Sequence, residues 1–251
     1  MPDNGVCSDQ PKWMEAFLHA RQNFARFNPQ PVREECLQRV LEIARLSPTE
    51  WYFQPWRWIV VRSEAGKRQV EASTYVGAPL TSAPLVLICL ADTSAWKTAP
   101  QQLQEMVTKR KISQEQAQEV LRKIRELYAA SPEMAQRAAL AHAFVALHQI
   151  LMAAAECDLS AYWISVFDEQ GIKTHFHIPD RFLVAALLAL GHGEQPLPAA
   201  SELPLQSLVY QEKFGEAYAN REQGTGNREQ GTDKPLTAVR RFAFSEGEQC
   251  E

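Results

Sequence analysis

The chain predicts a fold that mixes helices with a β-sheet, on three observations. The run Ala83-Pro84-Leu85-Val86-Leu87-Ile88-Cys89-Leu90-Ala91-Asp92 is nearly all apolar and closed by an acid, as in a central strand buried on both faces. Trp56-Arg57-Trp58-Ile59-Val60-Val61 is aromatic and β-branched, which suits a buried strand. Ser131-Pro132 places an N-cap and a helix-starting proline before a long alanine-rich segment, predicting a helix to about residue 156.

The 251 residues allow one large domain or two small ones, and a 45% hydrophobic content is enough for a core. A net charge of −4 gives no basic field, so nucleic acid is not an expected partner. Five cysteines (Cys7, Cys36, Cys89, Cys157 and Cys250) lie far apart with no CxxC, so neither a zinc knuckle nor a dithiol centre is indicated. The chain reads as reduced and cytoplasmic. Met1-Pro2-Asp3-Asn4-Gly5 has no charged start followed by an apolar run, so no signal peptide is expected. No apolar run approaches a membrane span; the longest, over 182–190, is too short.

Taken in order, residues 1–11 are polar and expected to be disordered. Trp13, Phe17, Ala20 and Phe24 predict a helix over 12–24, with a turn at Asn28-Pro29-Gln30-Pro31. Val32, Cys36, Val40, Ile43 and Leu46 predict one apolar face of a helix over 32–46. Pro48 and Pro55 fix φ and bias Ser47 and Gln54 toward extended backbone, so 47–55 is a turn that leads into the strand over 56–62. A short helix over 67–73 and a loop over 75–79 precede the buried strand. Asp92 at its end reads as a structural cap.

The stretch 96–130 is an excursion in which Ser113-Gln114-Glu115-Gln116 fits a capping box, starting a helix to about residue 128. Along 131–156, Met134, Ala138, Ala141, Val145, His148, Met152 and Ala155 recur every three or four residues. So many alanines allow close approach on more than one side, as in a core or dimer interface. A strand and loop over 158–168, a short helix or turn over 171–178 and an apolar strand over 182–190 follow. Asn220-Arg221-Glu222-Gln223-Gly224-Thr225-Gly226 is then nearly repeated by Asn227-Arg228-Glu229-Gln230-Gly231-Thr232-Asp233 with no apolar residue, which reads as a low-complexity linker. The expected organisation is a disordered start over 1–11, a body over 12–218 and a linker and tail over 219–251.

Candidate chemistry lies in two places. Residues 47–56 deliver aromatic, hydroxyl and amide groups onto a sheet, the usual composition of a ligand site, and equally that of a packed corner. Arg21 and Arg26 have guanidinium forks that match phosphate, and equally suit a solvated helix end. His142 and His148 read as packed or satisfied. His175-Phe176-His177 has no third ligand nearby, so no metal is expected. No Ser/His/Asp or Cys/His spacing stands apart from chance.

Ser47-Pro48-Thr49-Glu50-Trp51-x-x-Gln54-Pro55-Trp56-Arg57-Trp58-Ile59-Val60-Val61 resembles the signature loop and strand of the nitroreductase-like family of FMN oxidoreductases. The stretch 158–168 resembles the family's second signature, and the order of elements matches over roughly residues 14–214. The resemblance implies an α+β, nitroreductase-like fold: a mixed central sheet flanked by helices, with a long central interface helix. It implies a homodimer with two FMN molecules at the interface, NAD(P)H as donor and a nitro-aromatic, quinone or other conjugated acceptor. Because the flavin carries the hydride, no catalytic residue is implied. The implied cofactor contacts are Arg21, Gln22 and Asn23 at the phosphate and ribityl chain, Pro48, Thr49, Tyr52 and Gln54 in the loop, and Ser165 or Val166 with an amide facing N5.

The sequence departs from the family pattern at several of these places. The family has Arg-Arg-Ser-x-Arg-x-Phe where Arg21-Gln22-Asn23-Phe24-Ala25-Arg26-Phe27 stands, so Ala25 cannot donate and Arg26 is out of phase. Tyr52 stands where Asn is usual, Gly77 where Asn or Gln is frequent, and Val166 where many members have the glycine that permits close backbone approach. The closing stretch 196–204 has no Arg or Lys, and its Glu202 would repel a phosphate. Two lost phosphate contacts cost roughly 3–6 kcal/mol, or about two to four powers of ten in affinity. Three functions are therefore weighed: an FMN-dependent NAD(P)H oxidoreductase first, a protein of the same fold that has lost flavin and serves as a scaffold, and a specialised flavin enzyme with an unusual substrate. The resemblance also implies that 96–130 covers the substrate pocket and that 205–214 wraps the partner subunit.

Overall fold

β3 (Leu85–Asp92) is buried at every position, as its unbroken apolar composition requires. It pairs antiparallel with β2 (Trp56–Val61) on one side and β5 (Phe182–Pro196) on the other. β5 is long enough to carry two more antiparallel partners, β1 (Phe24–Asn28) and β4 (Ser160–Ile164). The sheet order is β1-β5-β3-β2, with β4 on β5 beside that path. The structure is a computed structural model that describes residues 24–75, 79–197 and 201–218.

Alternation along β3 sorts the core into two layers. Leu85, Leu87, Cys89 and Ala91 face a layer that contains Val40 and Ala44 of α1 (Glu34–Arg45) and Ala143, Leu147 and Ile150 of α5 (Pro132–Glu156). Val86, Ile88 and Leu90 face the other way, toward Val70 of α2 (Glu64–Ala72) and Ile172 of α6 (Glu169–His175). A third cluster packs α3 (Ala99–Thr108) and α4 (Gln114–Ala130) around Phe53, Leu103, Ile124, Tyr128 and Ala135. Both sequence-read caps form: the Ser113 hydroxyl accepts from Gln116 N–H while the Gln116 carboxamide accepts from Ser113 N–H, and Ser131 Oγ accepts from Met134 N–H.

Several expectations are corrected. Residues 24–28 form β1 rather than a helix end and turn, because Phe24–Asn28 pairs with β5 between His192 and Pro196; the rest of the expected 12–24 helix lies outside the described residues. On α5, whose recurring residues left core and dimer interface both open, Met134 and Val145 are exposed, whereas Ala135, Ala139, Ala143, Ala146, Leu147 and Ile150 are buried. Alanine is common on both faces, so its spacing cannot say which is inside. Leu46 is likewise exposed, one residue past the end of α1. By length and composition α5 also reaches membrane-spanning size, contrary to expectation, yet its inner face sits in the sheet core.

Packing also joins two thiols that lie 121 positions apart. Cys157 Sγ lies 4.0 Å from the Cys36 carbonyl oxygen, and Arg33 Nη2 donates to Cys36 Sγ at 3.3 Å. Burial first, and then the neighbouring Cys36, push the Cys157 thiol up to about 11. The thiolate is the reactive form. Iodoacetamide is therefore expected to modify Cys157 more than about tenfold slower than a free thiol at pH near 8, and to speed up above about pH 10. Peptide mapping by mass spectrometry reads both rates, and equal rates near pH 8 would refute this environment.

Residues 201–218 belong to a second unit beginning at Ala200. Within it, Leu205–Ser207 forms a single 3₁₀ turn, Tyr210 bridges to Ala217, and the Tyr210 and Phe214 rings lie 4.5 Å apart.

Candidate functional site

The loop between α1 and β2 carries the candidate site. Its middle, Glu50–Tyr52, is a distorted 3₁₀ turn, and Trp51 (φ 53°), Tyr52 (φ 58°) and Gln54 (φ 45°) are all left-handed. For residues with a Cβ such backbone costs roughly 1–2 kcal/mol each. The loop holds its ends with its own groups. Gln54 Nε2 donates to the Arg45 carbonyl at 3.1 Å, and Arg57 Nη1 donates to the Gln54 carbonyl at 2.9 Å. Phe53 turns inward and packs edge-on against Tyr128, ring centroids 6.0 Å apart. The neighbouring rings turn outward: Trp51 is 41% and Tyr52 64% exposed.

Three helices grip the middle of this loop. From α3, Gln102 Nε2 donates to the Tyr52 carbonyl at 2.7 Å. From α4, the Tyr128 hydroxyl donates to Glu50 Oε2 at 3.3 Å. From α5, His142 Nε2 accepts from Glu50 N–H at 3.3 Å. Burial lowers the pKa of His142 while the Glu50 carboxylate pulls the other way. Burial, with Glu50 adding to it, raises the pKa of the Tyr128 phenol. At the loop entrance the Ser47 hydroxyl is buried without a hydrogen-bond partner.

The sequence-derived site residues fall into three groups. Arg21, Gln22 and Asn23 lie outside the described residues. Pro48, Thr49, Tyr52 and Gln54 share the loop, with Pro48, Tyr52 and Gln54 exposed and Thr49 half-buried. Ser165 and Val166 lie just past the end of β4, both exposed, beside the contact in which Asp168 N–H donates to the Ser73 carbonyl. No hydrogen bond or ring contact among the described residues joins the second group to the third within one chain. Asp92 acts as the expected cap, its Oδ1 accepting from the Ser94 N–H and hydroxyl at 2.9 and 2.7 Å.

A cleft of about 300 Å³ lies at the other end of β2, lined by Arg26, Arg62, Lys67 and Ser82. Its cations are already matched: Arg26 faces Glu194 at 3.7 Å, Arg62 faces Glu34 at 2.6 Å and Lys67 faces Glu64 at 2.7 Å. Arg26 is thus turned to Glu194 rather than left open as a phosphate fork.

Spacing gave no signal for Gln102 or Tyr128, and His142 was read only as a satisfied histidine. These are long-range contacts, 50, 78 and 92 positions from their partners.

Comparison with known proteins adds the following. The model of the nitroreductase family matches residues 21–192. A Thermus thermophilus protein named NADH dehydrogenase is 29% identical over 195 residues, covering 75% of this chain and 91% of its own. The Bacillus subtilis NAD(P)H nitroreductase-type protein YodC is 24% identical, covering 76% and 95%. A nitroreductase-type structure from Exiguobacterium sibiricum, solved in complex with FMN, superimposes with a TM-score of 0.71 at 19% identity, covering 82% of this chain and all of that one. The Bacillus subtilis ydfN structure gives 0.73 at 18% identity, covering 79% and 99%.

Proposed function

The chain belongs to the nitroreductase family of oxidoreductases, and on that premise we propose that it is an FMN-dependent NAD(P)H oxidoreductase acting on a small conjugated acceptor such as a nitro-aromatic or quinone. The observation that carries this reading is the pair of exposed half-sites: the 48–54 loop with its outward rings, and Ser165-Val166 past β4. Unjoined within one chain, they suit a site completed by a second copy. Exposed Met134, Val145 and Trp163 on α5 and β4 supply an apolar face for that copy, in keeping with a cytoplasmic homodimer.

The residues present fit a flavin on its ring side. The orphaned Ser47 hydroxyl lies at the entrance of the loop, and Val166, 60% exposed, fills no space within its own chain. On the phosphate side Ala25 offers no donor and Arg26 is paired, so Arg21, Gln22 and Asn23 would hold the phosphate. Bound FMN would supply hydride transfer through N5. The chain's part is to orient the ring through the amide of Ser165 or Val166, to flank it with Pro48, Thr49 and Gln54, and to offer Trp51 and Tyr52 as faces on which a planar acceptor stacks. The named relatives are enzymes, which favours this reading over the flavin-free scaffold.

The test is direct. Purified protein is mixed with excess FMN, desalted and scanned in the visible. A retained flavin spectrum bleached by NADH or NADPH is the expected result, with a dimer mass by light scattering. Colourless protein after desalting, together with no quenching of flavin fluorescence on titration, would overturn it. Arg21→Ala is expected to weaken FMN binding by about tenfold or more, since one charged contact is lost.

A further inference from the structure

We propose that Gln102, Tyr128 and His142 are positioning residues that set flavin and acceptor binding through the backbone of the 50–54 loop, without touching either ligand. The proposal deepens the flavin reading and rests on it. Three residues with a Cβ stand left-handed within four positions of a loop whose Trp51 and Tyr52 rings face solvent. Such backbone persists where surrounding groups over-determine it. The loop's own bonds close its ends, through Gln54 to Arg45 and Arg57 to Gln54, and span its middle only through one long bond from Phe53 N–H to the Glu50 carbonyl at 3.4 Å. The remaining bonds to the middle come from outside. Gln102 takes the Tyr52 carbonyl, His142 takes the Glu50 amide, and Tyr128 takes the Glu50 carboxylate.

Two of these bonds engage main chain, so they fix where the Trp51 and Tyr52 rings point. Gln102 and Tyr128 both lie in the 96–130 excursion, which gives that segment a route to specificity through the loop it holds. Core packing anchors the neighbouring Phe53, but the Trp51 and Tyr52 rings are not buried, so packing of those rings does not hold residues 51 and 52 in their strained shape.

His142 makes the grip sensitive to acid. Its Nε2 accepts a hydrogen bond, so that nitrogen carries no proton. Protonation turns the acceptor into a donor facing an amide N–H. The titratable and charged groups around it are Glu50, Tyr128 and Asp92, the last with Arg181 at 3.9 Å. Burial holds the imidazole below its ordinary value. The neutral form is thus favoured in the folded protein, and its contribution is complete above about pH 6.5 and lost as pH falls through the lower folded value.

Three variants test this: Gln102→Leu, His142→Leu and His142→Gln. Without flavin, hydrogen–deuterium exchange at residues 50–54 is expected to quicken about tenfold or more in the two leucine variants, with exchange in β3 unchanged. FMN affinity, read by quenching of flavin fluorescence, is expected to fall about tenfold in each. His142→Gln, whose carboxamide oxygen can take the Glu50 amide, is expected to stay within about threefold of wild type near pH 7.5 and to lack the extra loss that wild type shows as pH falls through the lowered His142 value. Unchanged exchange over 50–54 in both leucine variants would overturn the proposal, as would faster exchange with FMN affinity intact. Wild-type protein that binds no FMN overturns the flavin reading, and with it the ligand half of this proposal. The exchange data still decide whether the loop is held as described.

Discussion

Lys67→Met is expected to lower the free energy of unfolding by about 2–5 kcal/mol. Lys67 lies on α2 with its side chain only 5% exposed. Its ammonium donates to the Thr81 carbonyl at 3.1 Å and the Ala83 carbonyl at 2.8 Å, and it meets Glu64 Oε1 at 2.7 Å. Methionine keeps the length and the packing of the stem but removes every donor. Each carbonyl left without a partner costs about 1–3 kcal/mol. The Glu64 side is exposed and adds little. The two carbonyls flank the entry to β3, so the loss falls where the central strand begins. Urea unfolding with an unchanged m-value is the measurement; a loss under about 1 kcal/mol would show that water satisfies those carbonyls as well as the ammonium does.

Gly191→Ala carries the second large effect, a destabilisation of about 2–4 kcal/mol. Gly191 is buried in β5 beside the crossing of Pro84 and Phe27. An added Cβ would collide with Pro84 Cδ and lie 2.7 Å from Pro84 Cγ, with Phe27 at 3.3 Å. A proline ring has no rotamer by which to step aside, and the adjacent Leu85 is paired with Leu190. The sheet must therefore shift. For a chain of this size such a loss lowers Tm by roughly 5–15 °C in a thermal melt. A melt within about 2 °C of wild type would mean that the β3–β5 seam is looser than its packing indicates.

The parts of the fold that were legible are those written in local chemistry. The Ser131-Pro132 start of α5, the capping box at Ser113 and the all-apolar β3 each declare themselves within a few residues. The loop and strand signature at 47–61 was legible in the same way. Elements decided by a partner were not. Phe24 fits a helical spacing with Trp13, Phe17 and Ala20, yet β1 forms because β5 continues past Gly191 and offers free edge groups to Phe24–Asn28. Gly193, whose absent Cβ would collide with the Phe24 ring, allows that approach. The spacing along α5 leaves open which face meets the core and which a partner, because alanine buries little and is common on both faces.

The same division holds for the candidate site. The amino-acid order determined that this chain is an α+β member of its family, with a proline-bracketed aromatic loop feeding a strand. Those features rest on dihedral limits, side-chain shape and short-range hydrogen bonds. That this strand is a half-exposed edge rather than the buried one its composition predicts is set by the sheet order. Only the tertiary structure decided that Gln102, Tyr128 and His142 close on that loop, that Arg26 turns to Glu194, and that Cys36 meets Cys157. The reason is physical. A contact between groups 50 to 168 positions apart, from Tyr52–Gln102 to Arg26–Glu194, depends on how whole layers stack, and no local pattern of residues encodes that distance.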